Sequence, residues 1–198
     1  MEIPKYLRSN IHPVTITVIG AGGNGSQLLN QLGRINYALI QLGYSGIHVN
    51  CFDDDVVSVS NIGRQLFSSS EIGANKAVVT ISKLNRFFGT HWNAYPHRIN
   101  VNEEPIKDFY SNIIITCTDN KKSRLNVEQL ILDSISWKMY DQHEIYYWMD
   151  IGNKKDYGQV ILGSPTKKNN LPTILDLFPN YRTAEEDTST PSCSLAEA

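Results

Sequence analysis

Cysteine is scarce: the 198 residues hold three, Cys51, Cys117 and Cys193. An odd number with no C-x-x-C pair leaves any disulfide framework with a free thiol, and it cannot build a four-cysteine zinc site. Histidine is scarce too, five in all and none at H-x-x-x-H spacing, so no intrinsic structural zinc is expected. Long apolar runs are lacking, and none approaches the roughly 18 residues that span a bilayer. The opening residues, MEIPKYLRSN, lack the basic-then-apolar order of a signal peptide. An excess of charge is lacking as well. Eighteen basic residues against 20 acidic ones give a net charge of −2, which argues against a chain built to coat nucleic acid or an anionic membrane. The expected compartment is a cytosol, with neither nucleic acid nor membrane as partner.

What is present suits a packed α/β domain: 41% hydrophobic and 19% charged residues favour a core over disorder. VTITVI at 14–19 reads as a buried strand. Gly20-Ala-Gly-Gly-Asn-Gly25 then opens a helix over 26–42, with Leu28, Leu29, Leu32, Ile35, Leu39 and Leu42 at helical spacing. A strand at 46–52 ends in Asp53-Asp54-Asp55. A helix follows over 73–88, with Ala77, Ile81, Leu84 and Phe88 on one face. Next come a strand near 92–98, the strand NIIITCT at 112–118 and a helix over 121–137. The latter carries Leu125, Leu130, Ile131 and Ile135. Strands at 145–151 and 157–162 complete the pattern. Alternation of this kind predicts a Rossmann-like, mostly parallel sheet with helices on both faces.

Beyond Gly163 the pattern breaks down. Four prolines, polar residues and Glu185-Glu186-Asp187 read as a long surface crossover loop with one short apolar turn, ILDLF. The expected organisation is therefore a domain over 1–163 and a crossover loop over 164–198. Ser194-Leu-Ala-Glu197 is a capping box one residue from the end, which suggests that the sequence is a piece of a longer chain.

Three groups of residues carry chemistry. Gly20-x-Gly22-x-x-Gly25 lies between a strand and a helix, where glycine lets the backbone approach phosphate and the helix N-terminus supplies free N–H donors. Alone it serves NAD, FAD and ATP equally, or is just a tight turn. An acid at the end of the second strand can accept from ribose hydroxyls, although Asp53 lies farther on than the roughly 20 residues usual in nicotinamide enzymes. Arg64 and Lys76 are cations able to hold a polyphosphate, and Asp119 is a carboxylate suited to Mg²⁺. Simpler roles exist for each: a surface ion pair for Arg64, a solvated helix position for Lys76, a helix N-cap for Asp119.

In combination these residues resemble the ThiF, MoeB and ubiquitin-activating enzyme superfamily. Its pattern runs from the glycine loop through Asp55-Val-Val-Ser-Val-Ser60-Asn61-Ile-Gly-Arg64-Gln65 and Gly73-x-x-Lys76-Ala77 to Cys117-Thr118-Asp119-Asn120. Gly158-Gln159-Val160 is a looser match. The resemblance implies an ATP-dependent enzyme that adenylates the C-terminal glycine of a ubiquitin-like or sulfur-carrier protein. Gly20, Gly22, Gly23 and Gly25 would line the phosphates, and Asp53 would contact the ribose while Asp55 supports that loop. Asn61, Arg64, Gln65 and Lys76 would hold phosphates, with Asp119 binding Mg²⁺. Pro191-Ser-Cys193-Ser-Leu-Ala196 resembles the thioester-cysteine segment of ubiquitin-activating enzymes. Its position before a helix N-cap would lower the thiol pKa. Cys51 and Cys117 read as core.

The resemblance also implies a homodimer and a downstream conjugating protein. The zinc-binding cysteine pairs common in the superfamily are missing, as in ThiF-family proteins of bacterial mobile elements or defence operons. The first helix carries an apparent insertion around Arg34–Gln41, and Arg8 is not assigned to the site. Three other functions remain open: adenylation without a thioester, a non-catalytic subunit of an activating complex, and a nicotinamide oxidoreductase.

Overall fold

The computed structural model describes residues 3–99, 109–136, 144–153, 158–166 and 170–183. A short helix α1 (Lys5–Arg8) leads into β1 (Val14–Ile19), α2 (Gly23–Gln41) and β2 (Ile47–Phe52). Then follow α3 (Lys76–Phe88), β3 (Asn93–Tyr95), β4 (Ile113–Thr116), α4 (Lys121–Ser136), β5 (Tyr147–Asn153), β6 (Gly158–Gly163) and α5 (Ile174–Leu177). Six strands form one sheet in the order β3-β2-β1-β4-β5-β6. All neighbours are parallel except β5 and β6. This is the expected Rossmann-like, mostly parallel α/β fold.

The two faces of the sheet bury two cores. Ile16, Val18, Val49, Cys51 and Ile115 meet Leu29 and Leu32 of α2 and Ala77, Ile81 and Leu84 of α3. On the other face Ile19, Ile114 and Trp148 meet Val127, Leu130 and Ile131 of α4 with Ile174 and Leu175 of α5. Odd and even residues of β1 and β4 serve opposite cores, as a central strand buried on both faces requires. No helix among the described residues is long and apolar enough to cross a membrane.

Four expectations shift for identifiable reasons. The first helix begins at Gly23, so the glycine loop itself supplies its first turn. The next begins at Lys76 because Gly73 has φ +86° and Asn75 is the N-cap, its side chain accepting from Val78 N at 3.0 Å. The segment after β6, expected on the surface, is anchored over 170–183. Thr173 and Asp176 form a capping box, Ile174 and Leu175 are fully buried, and Arg182 donates to Leu175 O at 2.8 Å. The distal half of α2 departs from its expected apolar face. Asn36 is buried and accepts from Ile47 N at 2.7 Å, whereas Ile35 and Leu42 are 49% and 73% exposed.

Candidate functional site

The strand order reverses at β1 and β4, which pair through Ile16–Ile19 and Ile113–Thr116. In open α/β sheets the crevice outside the strand ends at such a point is the binding position. The glycine loop leaves β1 there, and Cys117–Asn120 leaves β4 beside it. Gly20 N donates to Phe52 O at 2.8 Å and Cys117 N to Ile19 O at 2.8 Å, which ties both tips to the sheet.

Two of the four glycines answer to the protein itself. A Cβ on Gly25 would lie 1.8 Å from Gly20 O, and Gly20 combines φ +97° with a Cβ position 2.9 Å from Cys117 O. Gly22 and Gly23 are different. The nearest atom to a Cβ on Gly22 is Gln65 Nε2 at 4.0 Å, and nothing lies within 4 Å of one on Gly23. Intramolecular packing therefore accounts for Gly20 and Gly25 and leaves the cradle above Gly22 and Gly23 open at a helix N-terminus.

The three aspartates after β2 do three jobs. Asp53 accepts from Ala21 N at 2.5 Å and from Asp55 N at 2.8 Å, binding the glycine loop to the end of β2. Burial raises its pKa, against the lowering effect of those two amides. Asp54 pairs with Arg98 at 2.7 Å. Asp55 pairs with Lys76 Nζ at 2.9 Å, the lysine side chain 5% exposed and the carboxylate 55%. The cluster can bring one oxygen from each carboxylate within 4.8 Å of the others. Asp53, expected at the ribose, thus also holds the loop that Asp55 was expected to support.

Lys76 is the first residue of α3, a poor place for a buried cation beside the positive end of the helix. Asp55 offsets that, and an anionic ligand would offset it further. Asn61 is buried, and its Oδ1 accepts from Ser58 N at 2.9 Å and Ser58 Oγ at 3.0 Å. This capping box shapes the turn that delivers Arg64 and Gln65. Arg64 is exposed and forms no ion pair among the described residues. Gln65 Oε1 and Thr118 Oγ1 are buried with no hydrogen-bond partner. Thr118 lies against the glycine loop, its Cγ2 being 3.5 Å from a Cβ on Gly20.

Orphaned buried polar atoms are rare and call for a missing partner. A ribose hydroxyl would satisfy Gln65, and the amide turned over would donate to phosphate instead. Asp119 is exposed and does not cap α4: Asn120 Oδ1 accepts from Ser123 N at 2.8 Å. The hard oxygens of Asp119 and the aspartate cluster suit Mg²⁺, and the open cradle with its orphaned atoms suits a nucleotide.

Sequence reasoning missed Arg124 and Asp150. They form a buried ion pair, Nε to Oδ1 at 2.8 Å, directly behind Cys117–Asn120. The only sequence signal was a single acid on a β-strand. Burial raises the thiols, Cys117 to about 12 and Cys51 well above its usual range, so neither supplies a thiolate at neutral pH. Cys193 lies outside the described residues.

The model of the ThiF family matches residues 1–197. The chain is 30% identical over 172 residues to the NEDD8-activating enzyme E1 catalytic subunit of Caenorhabditis elegans, covering 83% of this chain and 37% of that one. It is 34% identical over 133 residues to the adenylyltransferase and sulfurtransferase UBA4 of Lodderomyces elongisporus, covering 63% and 27%. Among solved structures it is similar to the tRNA N6-threonylcarbamoyladenosine dehydratase TcdA of E. coli, with TM-score 0.46 and 19% identity over 62% of this chain and 49% of that one. The chain spans only 37% and 27% of the length of these two curated relatives.

Proposed function

The chain belongs to the ThiF family, and from that premise we propose that it adenylates the C-terminal carboxylate of a ubiquitin-like or sulfur-carrier protein with ATP. We propose further that the acyl group then passes to Cys193 as a thioester. The observation that carries the reading is the crevice between β1 and β4. There the open glycine cradle and two orphaned buried side-chain atoms lie together, with Asp119 exposed on the loop that leaves β4 and the buried Lys76 held by Asp55 after β2. The likeness to an E1 catalytic subunit and to an adenylyltransferase supports the same class of partner.

The substrate carboxylate is already ionised, so the site needs no general base. It must bring two anions together, which calls for cations and positioning. The backbone donors at Gly22 and Gly23, with Lys76 and Arg64, hold the phosphates. Asn61 and Gln65 shape and line that side, and Asp53 holds the loop beside the ribose with Asp55 fixing Lys76. A carboxylate oxygen attacks the α-phosphorus, a new P–O bond forms, the α–β bridging bond breaks and pyrophosphate leaves. Mg²⁺, held by Asp119, would supply charge neutralisation on the phosphates. In the second step the Cys193 thiolate, its proton lost to solvent, attacks the acyl carbon, a C–S bond forms and AMP leaves to be replaced. The working unit is a cytosolic homodimer that passes its product to a conjugating protein. A monomer at micromolar concentration in light scattering would refute the dimer.

The test compares thermal unfolding with Mg²⁺-ATP, with ATP plus EDTA and with NADH. A ligand at 100 times its dissociation constant adds about 2.7 kcal/mol. Stabilisation by ATP and not NADH is expected, and stabilisation by NADH alone refutes the reading in favour of an oxidoreductase. The likeness to UBA4, named an adenylyltransferase and sulfurtransferase, favours a second reading in which the adenylate is the end product. Cys193→Ala separates the two: adenylate persists in both, and a DTT-sensitive conjugate is lost only if the thioester forms.

A further inference from the structure

A buried polar network joins the tip of β4 to the far edge of the sheet, and the chemistry above makes no use of it. Arg124 lies on the first turn of α4 with its side chain 6% exposed, and Asp150 on β5 is 1% exposed. Nε donates to Asp150 Oδ1 at 2.8 Å. The other two guanidinium nitrogens donate to Thr118 O at 2.9 Å and Asn120 O at 3.2 Å. Those carbonyls flank Asp119. One planar fork therefore holds the peptide carbonyl just before that residue and the carbonyl of the residue just after it. Asn120 takes the helix cap, so the Asp119 carboxylate has no intramolecular partner among the described residues.

Asp150 is itself held on both oxygens. Thr116 Oγ1 donates to Oδ1 at 2.6 Å and Gln159 Nε2 to Oδ2 at 3.3 Å. Trp148 Nε1 donates to Thr116 Oγ1 at 3.1 Å. A Cβ on Gly152 would come 3.1 Å from Arg124 Nη2, so glycine at that position leaves the room the fork occupies. Buried ion pairs are weak evidence for net stability, because well-packed apolar residues of the same volume do as well. An apolar pair cannot hold two carbonyls either side of one aspartate.

We infer that Arg124, oriented by Asp150, is the positioning residue that fixes Asp119 toward a divalent cation on the bound nucleotide. The inference rests on the adenylation reading. Arg124→Lys keeps the charge and loses the fork, since one ammonium cannot reach Asp150 and both carbonyls in a common plane. Calorimetric titration of ATP with Mg²⁺ and with EDTA, on wild type, Arg124→Lys, Asp119→Ala and the double variant, tests it. Amide hydrogen exchange over 117–121 is followed in the ligand-free proteins, with Asp150→Asn as a milder second variant.

Arg124→Lys should lose the Mg²⁺-dependent part of the ATP affinity, by about 10- to 100-fold as when an outer partner of a metal ligand is removed. Affinity in EDTA should stay close to wild type, the double variant should be no worse than Asp119→Ala, and exchange should quicken over 117–121 but not in α2 or α3. Asp150→Asn should shift both readouts the same way, by less. Retention of the Mg²⁺ increment in Arg124→Lys while Asp119→Ala loses it would overturn the inference alone. So would losses that add in the double variant. Wild-type protein that binds no ATP would instead refute the adenylation reading, and the role of Arg124 with it.

Discussion

Gly23→Ala and Gly25→Ala separate what the glycine loop does for the fold from what it does for a ligand. At Gly25 an added methyl would sit 1.8 Å from Gly20 O, far inside contact distance and against backbone that cannot swing aside. The cost lies at or beyond the upper end of the ~1–3 kcal/mol typical of overpacking. At Gly23 nothing lies within 4 Å and the residue is already helical. Alanine there should stabilise by about 0.4–1 kcal/mol through the unfolded chain. For a chain of this length 1 kcal/mol moves Tm by about 2–4 °C. The ligand-free Tm should therefore rise by roughly 1–4 °C for Gly23→Ala and fall by several degrees for Gly25→Ala.

Nucleotide reverses the order at Gly23. Saturating Mg²⁺-ATP, about 2.7 kcal/mol at 100 times Kd, should shift the wild type by roughly 5–10 °C. The methyl of Gly23→Ala occupies the approach to the helix N-terminus. Each tenfold loss of affinity removes about 1.4 kcal/mol of that shift. Differential scanning fluorimetry with and without Mg²⁺-ATP reads both effects. A Gly23→Ala protein that keeps the full ATP shift would refute the claim that the open cradle receives phosphate. An undiminished Tm in Gly25→Ala would refute the packing argument.

Lys76→Met should cost under ~1 kcal/mol of stability, since it replaces a buried cation by an apolar side chain of similar length and the carboxylate left without its partner, Asp55, is half in water. It should weaken ATP binding by about tenfold or more, as loss of a charged hydrogen bond does; equal binding in the two proteins would exclude Lys76 from the phosphates. Asp119→Ala should leave Tm unchanged, whereas Asn120→Ala should lose ~1 kcal/mol of helix capping. The reverse order would mean that Asp119 is the cap. Burial raises the Asp53 pKa in the folded state, so the folded protein binds more protons there than the unfolded chain. Its contribution to stability is full below the ordinary value of 3.8 and is lost as pH rises through the raised folded value. Tm of Asp53→Asn relative to wild type should accordingly rise from acid toward neutral pH, and a flat or falling difference would contradict this.

Much of the fold was legible because local patterns suffice for it. β1, β2, β4 and α3 read from alternation and helical spacing, whereas Gly25, expected to line phosphate, proved to answer to its close approach to Gly20 O, which only the structure shows. The motif residues Arg64, Gln65, Lys76 and Asp119 were visible as types at set spacings. Asn120 as the cap of α4 was not, since either neighbour is a competent N-cap and only the helix start decides between them. The distal half of α2 misled for a similar reason: Ile35 and Leu42 keep helical spacing but are exposed, and the buried position goes instead to the polar Asn36, which accepts from the first amide of β2.

The sequence by itself determined the order of elements, the glycine loop and the chemical types available at each strand tip, all consequences of side-chain period and backbone freedom within a few residues. The tertiary structure decided which of those residues share a site. The reversal of strand order at β1 and β4 brings residues 20–25 beside residues 117–120. β4–β5 register sets Thr116 opposite Asp150, and Arg124, 26 positions from that aspartate in sequence, meets it in a buried pair. Such pairs depend on burial and register across the sheet, and neither is encoded in any local window.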